Sequence, residues 1–324
     1  MIARLRQRLP DLAGPVLNRL LFWTAALLVI SVVAFAVYYY FDQRGGRGAE
    51  GPLEHQIATL EGAVRANPDD ASARGALAQA YFTDHRYKEA AQQYDAVLSN
   101  DDKNPVALIG LGRSLLETGD RDAALGRFQQ VLDIAAQGEM SADLVETAQF
   151  YLGSIYLDQK QADDAVDHLQ KAVAIERTDA DAWRVLGAAL VEAGKPDEAI
   201  DALKQAVLFV PNYAEAYETM VVAYEQKGLT AETHYARGML SYSRGQFDEA
   251  VTELAAALQA SPNYAAAYVG MGLARESRSE RDLALAAYQQ ALQLEPDNFN
   301  ARAGLTRLGA PPPVATPQPQ EVNP

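Results

Sequence analysis

Ala180-Asp-Ala-Trp-Arg-Val-Leu-Gly-Ala-Ala-Leu-Val-Glu-Ala-Gly-Lys-Pro-Asp-Glu-Ala-Ile-Asp-Ala-Leu-Lys-Gln-Ala-Val-Leu-Phe-Val-Pro-Asn-Tyr213 is the stretch that decides the fold. Leu186, Gly187 and Leu190 fall on one face of a helix, and Ala199, Leu203 and Ala206 on one face of a second. Small residues such as Gly187 and Ala199 let the two backbones approach, while Trp183, Leu186 and Leu203 fill the space around them. Between the helices, Glu192-Ala-Gly-Lys-Pro-Asp197 reads as a tight turn: Gly194 tolerates the positive φ that ends the first helix, and Asp197 can cap the next. Pro211 closes the unit, because proline cannot continue a helix and drives its predecessor towards extended backbone.

The same residue types recur outward from this stretch. One column runs Leu77-Ala78, Leu111-Gly112, Leu152-Gly153, Leu186-Gly187, Met220-Val221 and Met271-Gly272; a second holds Ala90, Ala124, Ala165, Ala199, Ala250 and Ala284; a third holds Tyr94, Phe128, Leu169, Leu203, Leu254 and Tyr288. Most steps are 34 residues, as from Leu152 to Leu186 to Met220. Turns recur at Glu117-Thr-Gly-Asp120 and Ser243-Arg-Gly-Gln-Phe-Asp248, and Pro68, Pro262 and Pro296 punctuate like Pro211. One helix pair cannot bury its own apolar face, so such units stack and share a core. This pattern resembles the tetratricopeptide repeat (TPR) family, whose unit is a helix-turn-helix of this length. Units are expected at 71–105, 105–139, 146–179, 180–213, 231–264 and 265–298, with a leading half-unit at 53–66 (Leu53, Ile57, Leu60, Val64) and a capping helix at 299–309.

Two places break the period. Gly112 to Gly153 is 41, seven residues too many around 135–143, which reads as a loop or an extended helix end at a unit boundary. Val221 to Gly238 is only 17, so 214–228 is a first helix with no second helix behind it. The expected organisation is a first array over 53–228 with its own capping helix, a kink or hinge near Gly228-Leu-Thr230, and a second array over 231–309.

Leu20 to Phe41 carries no charge and is long enough, at about 1.5 Å per residue, to cross a hydrocarbon core of about 30 Å. Trp23 and Tyr38, Tyr39 and Tyr40 stand at its two ends, where interfacial aromatics belong. The alternative is a cleaved signal peptide with Ala34-Phe-Ala36 as its site, but the apolar, aromatic run continues past Ala36. Arg4, Arg6, Arg8 and Arg19 precede the span and only Arg44 and Arg47 follow it, which favours a cytoplasmic N-terminus in a cell (plasma or inner) membrane and repeats outside the cytoplasm. The expected fold class is therefore all-α: a basic segment 1–19, one transmembrane helix 20–41, a Gly-rich linker 42–52, the TPR helix-turn-helix solenoid, and a Pro-rich tail 310–324 that reads as solvated or as a polyproline ligand.

Of 28 basic and 43 acidic residues, six arginines and three acids lie in 1–50, leaving 22 against 40, or −18, on 51–324. Such a surface is a poor partner for nucleic acid, which needs clustered Lys and Arg. The absence of cysteine excludes thiolate metal sites, covalent c-type haem attachment and a cysteine nucleophile. His55, His85, His168 and His234 form no His-Glu-x-x-His pair, and His85 and His168 read as solvated. Gly194-Lys195 lacks phosphate-loop spacing, and Gly110-Leu-Gly112 follows no strand, so neither marks a nucleotide site. Asp69-Asp70, Asp101-Asp102 and Asp163-Asp164 fall at helix starts, where carboxylates cap. No catalytic residue, metal ligand or cofactor site is assigned, and the chain is not read as an enzyme.

In TPR proteins the concave face is built mainly from first helices, and partners commonly lie along it. Carried onto this chain, the resemblance points to Phe82, Ile109, Arg113, Phe150, Asp158, Arg184, Glu192, Glu218, Glu225, Tyr235, Met239, Tyr242, Leu273 and Glu276. Gly75, Gln79, Ile109 and Arg113 stand where some TPR domains keep Lys and Asn to grip a C-terminal carboxylate, so that recognition is not implied. Apolar and aromatic patches mixed with carboxylates favour an apolar or basic protein segment as partner. The competing account leaves the acids solvated and Tyr235 and Tyr242 packed between units. In layout the chain is similar to membrane-anchored bacterial TPR proteins that accompany secretion translocons or cytochrome c maturation machinery. That likeness implies a scaffold for envelope complexes; two alternatives are a cytoplasm-facing regulator of a membrane enzyme or protease, and a receptor or enzyme with a pocket near 214–238.

Overall fold

The computed structural model describes residues 28, 31–35, 51–138 and 140–311. The basic segment 1–19, most of the span expected at 20–41, nearly all of the linker and the tail from 312 lie outside the described residues. Among the described residues, no helix is long and apolar enough to cross a membrane. The chain forms two compact units, Met1–Pro68 and Asp69–Pro324. The first holds α1, Pro52–Ala66, opened by Pro52 and by Glu54, whose carboxylate accepts from the Gly51 N–H at 3.1 Å.

The second unit is a run of antiparallel helix pairs: α2 Ala71–Thr83 with α3 Tyr87–Leu98, α4 Pro105–Glu117 with α5 Arg121–Ala135, α6 Ala142–Asp158 with α7 Ala162–Ile175, and α8 Ala180–Glu192 with α9 Pro196–Phe209. Then come α10 Ala214–Lys227 alone, α11 Thr230–Ser243 with α12 Phe247–Ala260, α13 Ala265–Ser277 with α14 Arg281–Leu294, and the closing α15 Phe299–Arg307. Each second helix packs on its own first helix and on the first helix of the next unit. First helices also touch along the stack, α2 with α4, α4 with α6, α6 with α8, α8 with α10, α11 with α13 and α13 with α15. Among the described residues successive second helices do not approach each other as closely as successive first helices do. A stack that is tight on one side and splayed on the other curves, with the first helices inside.

Close approach within a pair sets the small-to-large columns. A Cβ added at Gly187 would sit 2.5 Å from Leu203, and Gly153 meets Leu169, Gly238 meets Leu254 and Gly272 meets Tyr288 in the same way. In α10 this rung is Val221, a half-buried residue, because no second helix follows to bring a large side chain against it. The inter-helix turns all pass through positive φ, at His85, Gly119, Lys160, Gly194, Gly245 and Ser279.

Two local expectations are corrected. Asp197 and Asp248 do not cap their helices; each is the second helical residue, two positions after the caps Lys195 and Gln246. There they pair instead with Lys227 and Arg278 of the next unit. Asp101-Asp102 likewise precedes the cap, which is Asn104, accepting from the Ala107 N–H at 3.0 Å. The seven additional residues lengthen α5 to 15 and α6 to 17 residues and fill the connection between them. At the other break, Gly228 (φ 67°) turns the chain and α10 packs directly on α11, first helix against first helix. One buried cluster runs from Ala165 to Met239 and takes in Tyr217, Met220 and Tyr224 before Gly228 and Ala236 and Met239 after it.

Candidate functional site

Beside the unpaired α10 lies a cleft of about 810 Å³. Lys204, Val207 and Leu208 of α9, with Pro211 and Asn212, form one wall; Tyr235, Met239 and Tyr242 of α11 and Val269, Gly270 and Leu273 of α13 form the other. Tyr217 of α10 contributes to the lining, and Asn298, Phe299 and Arg307 of the terminal helix line it as well. Leu208 is 66% exposed and Phe299 79% exposed, so large apolar surface is open to solvent here. A second cleft of about 530 Å³ shares Lys204, Val207, Tyr235 and Ala266 with the first and extends along α9 and α10 to Tyr224 and Lys227.

The polar groups around the cleft are largely occupied. Glu276 accepts from the Tyr288 hydroxyl at 2.7 Å and from the Arg307 guanidinium at 2.9 and 3.0 Å. The Arg307 hydrogen bond holds the Glu276 carboxyl below the usual glutamate range against the opposing cost of its partial burial, and Tyr288 assists. The Tyr217 hydroxyl donates to the Pro211 carbonyl at 3.1 Å, and burial pushes its pKa up to about 12. Tyr217 therefore stays neutral and presents ring surface.

Of the residues the sequence singled out, Tyr235, Met239, Tyr242, Leu273 and Glu276 come together in this cleft. Tyr235 and Tyr242 do both things asked of them: Tyr235 packs against Tyr264 at 5.2 Å between ring centres and Tyr242 against Phe247 at 5.8 Å, each while facing the cleft. Phe82, Ile109 and Arg113 form a separate patch, with the Arg113 guanidinium 4.5 Å above the Phe82 ring and Ile109 buried. Phe150 packs edge-on against Tyr151, and Arg184 donates to the Tyr213 hydroxyl at 2.8 Å. Asp158 pairs with Arg121, Glu192 with Lys160, Glu218 with Arg244 and Glu225 with Arg237. Those carboxylates are matched within the array, so a basic ligand would have to displace an existing cation from each. His168 is corrected as well: it is half-buried, bonded to Gln149 at 2.6 Å and stacked on Tyr156, and desolvation lowers its pKa.

Sequence reasoning missed Leu208 and Phe299. The signal was present in Val207-Leu-Phe-Val210, four consecutive apolar residues that one face of a helix cannot all bury. Among the described residues, no group of three or more His, Asp or Glu is placed to hold a metal ion.

Paired helices stacked with their first members inside define a solenoid of helical-hairpin repeats. The repeats are those of the tetratricopeptide repeat family, to which the chain belongs: a family model described as Tetratricopeptide repeat matches residues 81–145 and 156–223, and one described as TPR repeat matches 238–277. The residues left unmatched between 223 and 238 span the junction of α10 and α11, where the period breaks. A curated relative, Protein CTR9 homolog of Arabidopsis thaliana, is 28% identical over 118 residues, 35% of this chain and 10% of that protein. The chain thus spans about a tenth of the length of that relative. Among solved structures, MamA is 28% identical over 57% of this chain and 95% of its own, with a TM-score of 0.34. A chain of the crystal structure of the APC/C hetero-tetramer Cut9-Hcn1 is 19% identical over 80% of this chain and 46% of its own, with a TM-score of 0.47. The C-terminal part of a TPR protein from Cytophaga hutchinsonii is 15% identical over 78% and 94%, TM-score 0.49.

Proposed function

We propose that the chain is a scaffold, not an enzyme, that binds a protein segment in the cleft between α9–α10 and α11–α13–α15. The observation that carries this reading is the apolar opening itself: Tyr235, Tyr242, Leu208 and Phe299 gather where one helix is omitted, and large exposed apolar patches on a protein surface mark interaction sites. Because the groove carboxylates already hold cations of neighbouring units, the favoured ligand is apolar, not basic. Phe299→Asp and Leu208→Asp test it, since both side chains are exposed and their replacement spares the core. Crosslinking in cells followed by purification is expected to lose the captured protein in both variants while helical circular dichroism and melting stay unchanged. Undiminished capture by both variants overturns the assignment of the cleft.

The same reading places the scaffold at a cell membrane, held by residues 20–41 with the repeats outside the cytoplasm, in the assembly of envelope complexes. Its support is the uncharged run from Leu20 to Phe41 and the arginine bias before it. Reporter fusions after Glu50 and at the C-terminus test orientation and retention. An outside-only reporter active on uncleaved, membrane-bound chain agrees with it; an inside-only reporter turns the scaffold towards cytoplasmic clients.

A further inference from the structure

We propose that the cleft has an intramolecular occupant, the proline-rich segment 312–324 of this chain, which docks in competition with the partner. The inference rests on the reading of the cleft as the binding site and adds a regulator to it.

Three observations converge. First, the described chain reaches Pro311 only four residues after Arg307, which lines the cleft, so the segment is tethered within a few residues of the site, although Leu308 itself is held by Arg281 of α14, which donates to its carbonyl at 2.6 Å. Thirteen residues follow, and at about 3.1 Å per residue in an extended polyproline conformation they reach roughly 40 Å. Second, the chemistry matches. Residues 312–324 carry Pro312, Pro313, Pro317, Pro319 and Pro324 with Val314, Ala315 and Val322, and Glu321 is their one charged side chain. Proline-rich segments dock in grooves lined by aromatic rings, because their extended form is set before binding and little entropy is lost. Tyr217, Tyr235, Tyr242 and Phe299 supply such a lining. Third, the charges fit. Lys204 stands on the wall contributed by α9, and its contact with Asp201 is a loose 3.6 Å on an exposed surface. A segment entering beside Arg307 and running towards Pro211 would bring Glu321 within reach of Lys204.

Tethering changes the arithmetic. A short flexible connection gives an effective concentration in the millimolar range, so even a segment with an intrinsic Kd of about 0.1 mM would fill the cleft most of the time. An incoming partner must then outcompete it, which raises the threshold for capture without closing the site.

The absence of native cysteine makes a direct test possible. In the full chain, Leu208→Cys is combined with Pro319→Cys and exposed to a mild oxidant, and disulfide formation is followed by mass and gel mobility. The control pair joins Pro319→Cys to Leu283→Cys, an exposed position on α14 that does not line the cleft. The expected result is an intramolecular disulfide forming at least tenfold faster in the cleft pair, independent of protein concentration, and slowed about tenfold by Phe299→Asp. Equal rates in the two pairs, or bonds only between separate chains, overturn the proposal. Either of those results leaves the cleft assignment standing if Phe299→Asp still abolishes partner capture, so the two failures are separable.

Discussion

Gly187 and Val221 occupy the same rung of the repeat and meet opposite demands. Gly187 faces Leu203 across a gap with no room for a methyl group, so Gly187→Val is expected to cost about 1–3 kcal/mol or more in urea unfolding. Val221→Ala, with no second helix opposite, should cost no more than about 1.5 kcal/mol, and a larger loss there than at 187 would contradict the pairing. Such rungs are legible in the sequence because residue size states the spacing. The turn conformations are only partly so: Gly194 and Gly245 announce positive φ, but Lys160 and Ser279 adopt it with ordinary side chains. Alignment with the glycine-bearing turns is the one clue. Ser279→Gly should accordingly raise stability by about 1 kcal/mol in the same assay. Glu146 shows what no sequence pattern reveals. Its Oε1 is buried without a hydrogen-bond partner among the described residues, and desolvation, aided by the Asp179 charge, raises its pKa. Folding therefore favours its protonated form, so Glu146→Gln is expected to raise the Tm at neutral pH. That gain should vanish as the pH falls below the unfolded glutamate value of about 4.3, and a gain unchanged at low pH would refute the burial argument.

At the scale of elements, helix existence and order follow from periodicity, whereas cap identity depends on how far each turn unwinds. Asp70, Asn104, Asp120, Asp179 and Asn298 do cap, but Asp197 and Asp248 fall inside the first turn and reach forward to the next unit. Only the three-dimensional stack brings Lys227 and Arg278 to them, so the sequence alone reads those acids as caps. The closing helix α15 depends on a similar long-range arrangement, Arg307 to Glu276 of α13 with the Tyr288 hydroxyl between them. Because the folded-state pKa of Glu276 is depressed, its contribution is present above the ordinary glutamate value and is lost as the pH falls through the folded pKa. Glu276→Gln should therefore melt below the parent at pH 7, with the gap narrowing once the pH drops under about 4.3. A gap that persists at acid pH would mean that the carboxylate charge is not what holds α15.

For the molecule as a whole, the missing second helix was visible as a step of 17, but its consequence was not. The period places a boundary at Gly228; side-chain packing decides how the chain unfolds around it. The buried cluster from Ala165 to Met239 crosses that point, and distinct clusters begin only with Ala250 and Leu254 in α12 and Val269 and Ala284 beyond. In a repeat array, cooperativity follows the interfaces between neighbours. Leu203→Ala, which removes a fully buried side chain at the centre of the larger cluster, is expected to cost about 2–5 kcal/mol. Hydrogen exchange should then show α8, α9, α10 and the first half of α11 losing protection together, while α13 and α14 keep theirs. Exchange that steps abruptly at Gly228, with α10 loosened and α11 untouched, would instead support the hinge expected there. The cleft makes this distinction functional, since its walls come from both sides of Gly228. Continuous packing holds Leu208 and Tyr235 in fixed relation and presents a preformed site, whereas a hinge would require each partner to gather the two walls and lose affinity in ordering them.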